Sequence, residues 1–477
     1  MGGHFQNAVN DSARERSSIW KWTVCGLLLC ASMLMYMDRQ TLPSVATRIT
    51  REFNLSQEQY GILEMCFGYA FAAGAFTFGF IADVWSVRWL YPAVLMAWSV
   101  MGFLTGLVES YSGLLVCRTL LGFFESGHWP CAIKTTQRLL SRGQRTMGNS
   151  VLQSGASVGA ILTPLVMNWM LAGRMDFGLW RKPFLVIGSL GVLWLVAWFI
   201  LLRESDFAPT RSTDASTDGE QDSAPPPEGE GSFWRVVFNP RFSMPVLLTF
   251  VVLLIAAWVI VMMIGHPLAV VAAVGLSFLV FQRRFFALVV MVACINTCWQ
   301  VIRAWLPKFL QEGRGYLESE ALYFNSLYYM ATDIGCLGAG AVSLWLVKRA
   351  WSVHGSRSLV YGCCAVLTAL TTLIVYLPKG WLLLATLLVV GAGALGLFPC
   401  YYSFTQELST RHQGKVTGLL GTVAWATSSP AQRFFGRLVD QTGSFDAGLA
   451  LAGWLPLIAF VFLWLFWDRP ATGRATE

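Results

Sequence analysis

The chain has 477 residues, of which 55% are hydrophobic and only 13% charged. Soluble domains carry about 25% charged residues, so this composition excludes a soluble enzyme and calls for an all-α polytopic membrane protein. The formal charge of +7 comes from basic residues scattered through short loops, which is how cytoplasmic membrane loops look and is no footprint for nucleic acid.

Arg14, Arg16 and Lys21 precede the first apolar stretch, which spans about 19–41 and ends in Asp38-Arg39. No small-residue cleavage site follows, so it reads as an uncleaved first helix. An outer loop from Arg48 to Glu58 leads to a second stretch (about 59–82) carrying Glu64 and Tyr69 and closing near Asp83. Glu64 is either a third proton site or an outer-facing interfacial residue, and its position favours the second. The third stretch covers about 89–108. The fourth begins near Tyr111 and runs past Ala132, with Arg118 and Glu125 inside it. Seven residues are nearly two helical turns, so these two charges share one face, about 10 Å apart along the axis. Each costs at least ~2.5–3.5 kcal/mol at the bilayer centre, so both should turn to a protein interior or a wet cavity. After a basic loop, the fifth stretch (about 147–171) holds Gln153, Gly155 and Gly159, and the sixth covers about 183–202.

From Arg203 to Gly231 the composition changes to Ser, Thr, Asp, Glu and Pro, which cannot bury a core. Two apolar runs follow, about 245–264 and 267–281, separated by Gly265-His266-Pro267. Six further stretches, at about 285–310, 321–347, 358–377, 381–407, 414–438 and 446–467, complete the chain; the first of these contains Arg303. The organisation read from this is a six-helix bundle over 1–202 and a cytoplasmic disordered linker with an interfacial segment over 203–241. An inserted apolar hairpin over 242–282 and a second six-helix bundle over 283–477 follow. With the hairpin complete, most Lys and Arg clusters fall on one side, which places both termini and the linker in the cytoplasm. Eleven cysteines lie mostly in apolar stretches and show neither zinc spacing nor a disulfide framework. Gly391-Ala392-Gly393-Ala394-Leu395-Gly396 fits a dinucleotide pattern but lies inside an apolar helix, where it means helix packing.

Two six-helix halves around a charged linker resemble the major facilitator superfamily, and the finer resemblance is to its anion:cation symporter family. Tyr36-Met37-Asp38-Arg39, the run from Arg118 to Glu125 followed by Pro130, Gln153 to Gly159, Trp305-Leu306-Pro307 and Ala331-Thr332-Asp333-Ile334-Gly335 carry it. The chain departs from the family at Val84 and Ser86, at Trp425, Ser428 and Ser429, and at Glu64. The resemblance implies a proton-coupled symporter of small organic anions, with sugar acids such as hexuronates or aldonates as substrate. It implies the bacterial inner membrane as its place, and Arg39 in the substrate site. Asp83 would steady the cytoplasmic gate, as that position does in the superfamily.

Residue chemistry fills in the rest. Arginine binds a carboxylate through a planar fork and stays charged, so Arg39 and Arg303 are the candidate substrate cations, though Arg303 could equally snorkel to the interface. Asp38 and Glu125 are the candidate proton carriers, with Arg118 expected to hold Glu125 or Asp38 in the charged form. Tyr69, Gln153, Ser403 and Gln406 could supply neutral hydrogen bonds to substrate hydroxyls. His128 reads as a polar packing residue. No cofactor, metal or nucleic acid is called for; the expected partners are the anion, protons and the bilayer, and the expected state is a monomer. The competing readings are an exchanger of phosphorylated or other organic anions, and a non-transporting sensor on the same fold.

Overall fold

The computed structural model describes residues 17–140, 142–171, 177–207, 283–408 and 413–467. Nearly all of these are helical, and none is in a strand. The inserted hairpin expected over 242–282, and the linker beyond residue 207, lie outside the described residues. The helices up to residue 207 and from residue 287 onward form one compact unit.

In chain order the helices are α1 (Ser18–Glu52), α2 (Gln57–Val84), α3 (Val87–Thr105), α4 (Tyr111–Glu125), α5 (His128–Leu139), α6 (Arg142–Leu171) and α7 (Arg181–Leu201). The second half has α8 (Arg283–Lys308), α9 (Glu318–Lys348), α10 (Val353–Ala369), α11 (Thr371–Ile374), α12 (Trp381–Leu408), α13 (Gln413–Thr442) and α14 (Asp446–Phe466). Among the described residues, ten helical stretches are long and apolar enough to cross a membrane. The bent pair α4–α5 and the more polar α13 complete two sets of six.

Two boundaries differ from the sequence reading. The expected outer loop shrinks to residues 53–56, because α1 continues to Glu52. Its charged end stays helical by pairing: Arg48 bonds Glu318 at 2.6 Å, and Arg181 bonds Glu52 at 2.6 Å. The fourth stretch is not one helix. It breaks at Ser126 and Gly127, and α5 restarts with Pro130 in its first turn, where a missing N–H costs nothing.

The two halves meet along α2–α13 and α6–α9. Their contacts concentrate at the end carrying the α1–α2 turn. The α2 N-terminus has its own capping box, Ser56 with Gln59, and a second cap from the other half. Asp440 of α13 accepts from Gln57 N at 2.9 Å and Glu58 N at 2.7 Å, a carboxylate set against the positive end of the helix dipole. Arg433 bonds Glu58 (2.7 Å), Lys308 donates to Thr50 (3.1 Å), and Gln57 donates to Glu312 (2.9 Å). Close approach there depends on glycine: a Cβ at Gly61 would lie 2.9 Å from the carbonyl carbon of Gln432, and one at Gly436 would meet the backbone of Gln57. Gly61→Val should therefore wedge α2 from α13 and hold this end open. Uptake should fall about 5- to 150-fold while membrane-inserted protein stays near wild type, since a clash of this kind costs typically 1–3 kcal/mol; quantitative blotting beside uptake checks both.

Candidate functional site

Near the middle of the bundle, six ionisable side chains from both halves are buried together, each with 5% exposure or less: Asp38, Arg39, Glu64, Arg118, Glu125 and Arg303. The helices place them by simple spacing. Asp38 and Arg39 are neighbours on α1 and point about 100° apart. Arg39 Nε donates to Glu125 Oε1 at 2.8 Å, and its Nη2 bonds the same oxygen. Rings of Tyr36, Phe67, Phe71 and Trp425 surround the Arg39 guanidinium at 4.9–5.7 Å. An arginine is favourable against aromatic faces, and more so when water is excluded.

Glu64 of α2 is shared by two arginines. Its Oε1 accepts from Arg118 Nη2 at 3.2 Å, and its Oε2 from Arg303 Nη2 at 2.6 Å. Arg118 also lies over the Phe67 ring at 4.5 Å, and Arg303 Nε donates to Gln300 Oε1 at 2.7 Å. The Glu64–Arg303 pair joins one half to the other. Asp38 has no ion pair among the described residues; its carboxylate faces Gly102 of α3.

Beside Glu64 and Arg303 is a cleft whose other walls are Gly68, Gln300, Trp425, Ser428, Ser429 and Gln432. As it stands it has no room even for a water molecule, so a six-carbon acid needs these side chains to move apart. Trp425, Ser428, Ser429 and Gln432 recur at intervals of three or four residues, which puts an aromatic face and three hydrogen-bonding groups on one stripe of α13.

Residues 28–431 match the Major Facilitator Superfamily. The chain belongs to that superfamily. The hexuronate transporter of Escherichia coli (strain K12) is 21% identical over 461 residues, covering 96% of each chain. The galacturonate transporter of Dickeya chrysanthemi is 21% identical over 390 residues, covering 80% of this chain and 92% of its own. Among solved structures, a bacterial homolog of the human lysosomal transporter Spinster, inward-facing and occupied, superposes with a TM-score of 0.68 at 15% identity, over 94% of this chain and 97% of its own. The inward-open xylose transporter XylE of E. coli has a TM-score of 0.61 at 15% identity, over 95% and 97%. The superfamily member described here is thus a membrane transporter and not an enzyme.

Its structure rearranges several sequence expectations. Arg118, expected to hold Glu125 or Asp38, pairs with Glu64, and Arg39 takes Glu125. Glu64 is not an outer-facing interfacial residue but the centre of the cross-half ion cluster. Arg303 does not snorkel; it is buried against Glu64 and Gln300. His128 packs as expected, bonded to Ser32 at 3.0 Å and Tyr91 at 2.9 Å. The neutral candidates are less concentrated. Tyr69 is half-buried on α2, and Ser403 donates to Pro399 O of its own helix at 2.8 Å. Gln153 is exposed on α6, with no hydrogen bond to the cluster among the described residues. Asp83 and Gln406 fall on α2 and α12, and their side chains lie outside the described set. Sequence reasoning missed Gln300 and Gln432. Their signal was register: Gln300 is one turn before Arg303, and Gln432 continues the stripe from Trp425.

Proposed function

We propose that the protein is a secondary active transporter that couples small organic anions, sugar acids of the hexuronate and aldonate class, to protons by alternating access. The observation that carries this reading is the buried cluster of three arginines and three carboxyls at the seam between the halves. A carboxylate substrate needs a desolvated arginine fork, and Arg39 and Arg303 supply one from each half. Coupling needs carboxyls that can exchange a proton apart from the substrate, and Asp38 and Glu125 are the two that α1 and α4 provide. With Asp38 protonated, three arginines face two carboxylates, and the cluster carries a net charge that draws an anion. The polyol of a sugar acid finds partners along Trp425, Ser428, Ser429 and Gln432. The relatives named for hexuronate and galacturonate support the substrate class.

The driving force is the proton gradient, without a cofactor, and the working unit is a monomer in the bacterial inner membrane. Both termini lie in the cytoplasm. Residues 203–241 link the halves on that side, and 242–282 insert as a hairpin. In this orientation the end closed by Asp440, Arg433 and Glu318 is the outer one. Reporters fused at Asp222 and Gln282 should then both read cytoplasmic, and one at His266 should read outside; Gln282 reading outside would overturn the hairpin and the sidedness with it. The deciding experiment is an uptake screen in proteoliposomes with glucuronate, galacturonate and galactonate, with and without an imposed pH gradient. Accumulation of at least one of them only with the gradient is the expected result; uptake indifferent to it in every case refutes proton coupling.

A further inference from the structure

The coupling scheme leaves Glu64 unused, although it is the only carboxylate among the described residues that bridges arginines of both halves near the cleft. We propose that Glu64 is a tethered counter-anion that occupies, in the ligand-free state, the place on Arg303 that the acid group of the substrate takes, and that it latches the two halves until substrate displaces it. The identity of the displacing anion rests on the sugar-acid reading; the latch does not.

Three features carry this. The two oxygens of Glu64 are divided, one to Arg118 of its own half and one to Arg303 of the other. Arg303 Nη1 is buried with no hydrogen-bond partner, although Arg303 lines the cleft. An anion arriving there would stand beside the Glu64 carboxylate, and two like charges in a desolvated site exclude each other. Glu64 has somewhere to go. Arg118 keeps both Nε and Nη1 buried and without hydrogen-bond partners, so its fork can take both Glu64 oxygens once Arg303 lets go. The exchange is stoichiometric: Arg303 trades an internal carboxylate for an external one, Arg118 gains what Arg303 lost, and no arginine is stranded. The cross-half ion pair is broken in the same step, so binding itself releases the bundle. A neutral sugar lacks the charge to compete and should leave the latch shut, which makes Glu64 a selector for acids.

The test uses the full chain with the exposed Cys30 and Cys363 replaced by serine, and with spin labels at Glu109→Cys and Tyr376→Cys, one on each half at the end that is closed here. In ligand-free Glu64→Gln the label separations should shift toward longer distances than in the parent. Glucuronate should bind Glu64→Gln about tenfold more tightly, since its competitor is gone. Arg303→Gln breaks the same bridge from the other side. It should show the same lengthening but bind glucuronate at least tenfold more weakly, and it reads the latch if Glu64→Gln does not fold. Unchanged distances in both variants, or weaker glucuronate binding by a folded Glu64→Gln, would overturn the proposal. If the parent protein binds no sugar acid at all, it is the substrate reading that has failed, and the distances still decide the latch.

Discussion

Glu125→Gln should bring sugar-acid accumulation in proteoliposomes down to the equilibrium level under an imposed pH gradient, while exchange of labelled for unlabelled substrate continues without one. Wild type moving one proton per anion should concentrate substrate about tenfold per pH unit, because one unit is worth 1.36 kcal/mol per proton. Glutamine copies the protonated acid at nearly the same volume, so the variant is fixed in the form that the carrier passes through only part of the time. The structure adds a reason to expect binding to survive. Glu125 is the residue that neutralises Arg39, and its loss leaves a fork open to the carboxylate of the substrate. Breaking a buried ion pair by removing one partner costs roughly 3–5 kcal/mol, but the amide oxygen keeps a hydrogen bond to Arg39 Nε and reduces that loss. Asp38→Asn should behave in the same way if both carboxyls carry protons. Accumulation under the pH gradient that persists in this variant would remove Glu125 from the coupling mechanism.

The second large effect belongs to Arg39. Arg39→Lys keeps the charge but cannot place two nitrogens on one oxygen, as Nε and Nη2 do on Glu125. It also loses the flat face that sits among Tyr36, Phe67, Phe71 and Trp425. A hydrogen bond to a charged group is worth about 1.5–3 kcal/mol, so glucuronate affinity should fall about 10- to 150-fold, read by calorimetry on purified protein. Arg39→Ala should abolish detectable binding. Unchanged binding by Arg39→Ala would remove this residue from the substrate site.

The membrane helices were legible because their signal is cumulative: some twenty apolar residues in a row admit few other structures. Even so, the end of α1 escaped that signal. Hydropathy falls at Arg48, Arg51 and Glu52, and only the partners Glu318 and Arg181, far away in sequence, explain why the helix goes on. The same limit governs the site. That Arg39, Arg118, Glu125 and Asp38 belong to the interior followed from the cost of charge in lipid. Which arginine meets which carboxylate did not, because spacing along one helix says nothing about its neighbours. Arg118 and Glu125 share a face of α4 and yet each pairs with a different helix. Glu64 was the residue hardest to place. A single carboxylate on an apolar helix with no basic residue one turn away has no local partner to betray it, and both arginines that claim it come from elsewhere in the fold.

The ion pairs at the closed end of the bundle differ in kind from those at its centre. Arg433 with Glu58 is partly open to the medium, with side-chain exposures of 39% and 27%. Pairs of this sort contribute about 0–1 kcal/mol each, and dissolved ions screen them over a Debye length of ~8 Å at physiological ionic strength. The ionic part of what holds this end closed is therefore a sum of small attractions that the bathing fluid can weaken or strengthen. Brine should loosen it and fresh water should tighten it, so the saltiness of the surroundings reaches the carrier directly, with no dedicated effector site between them.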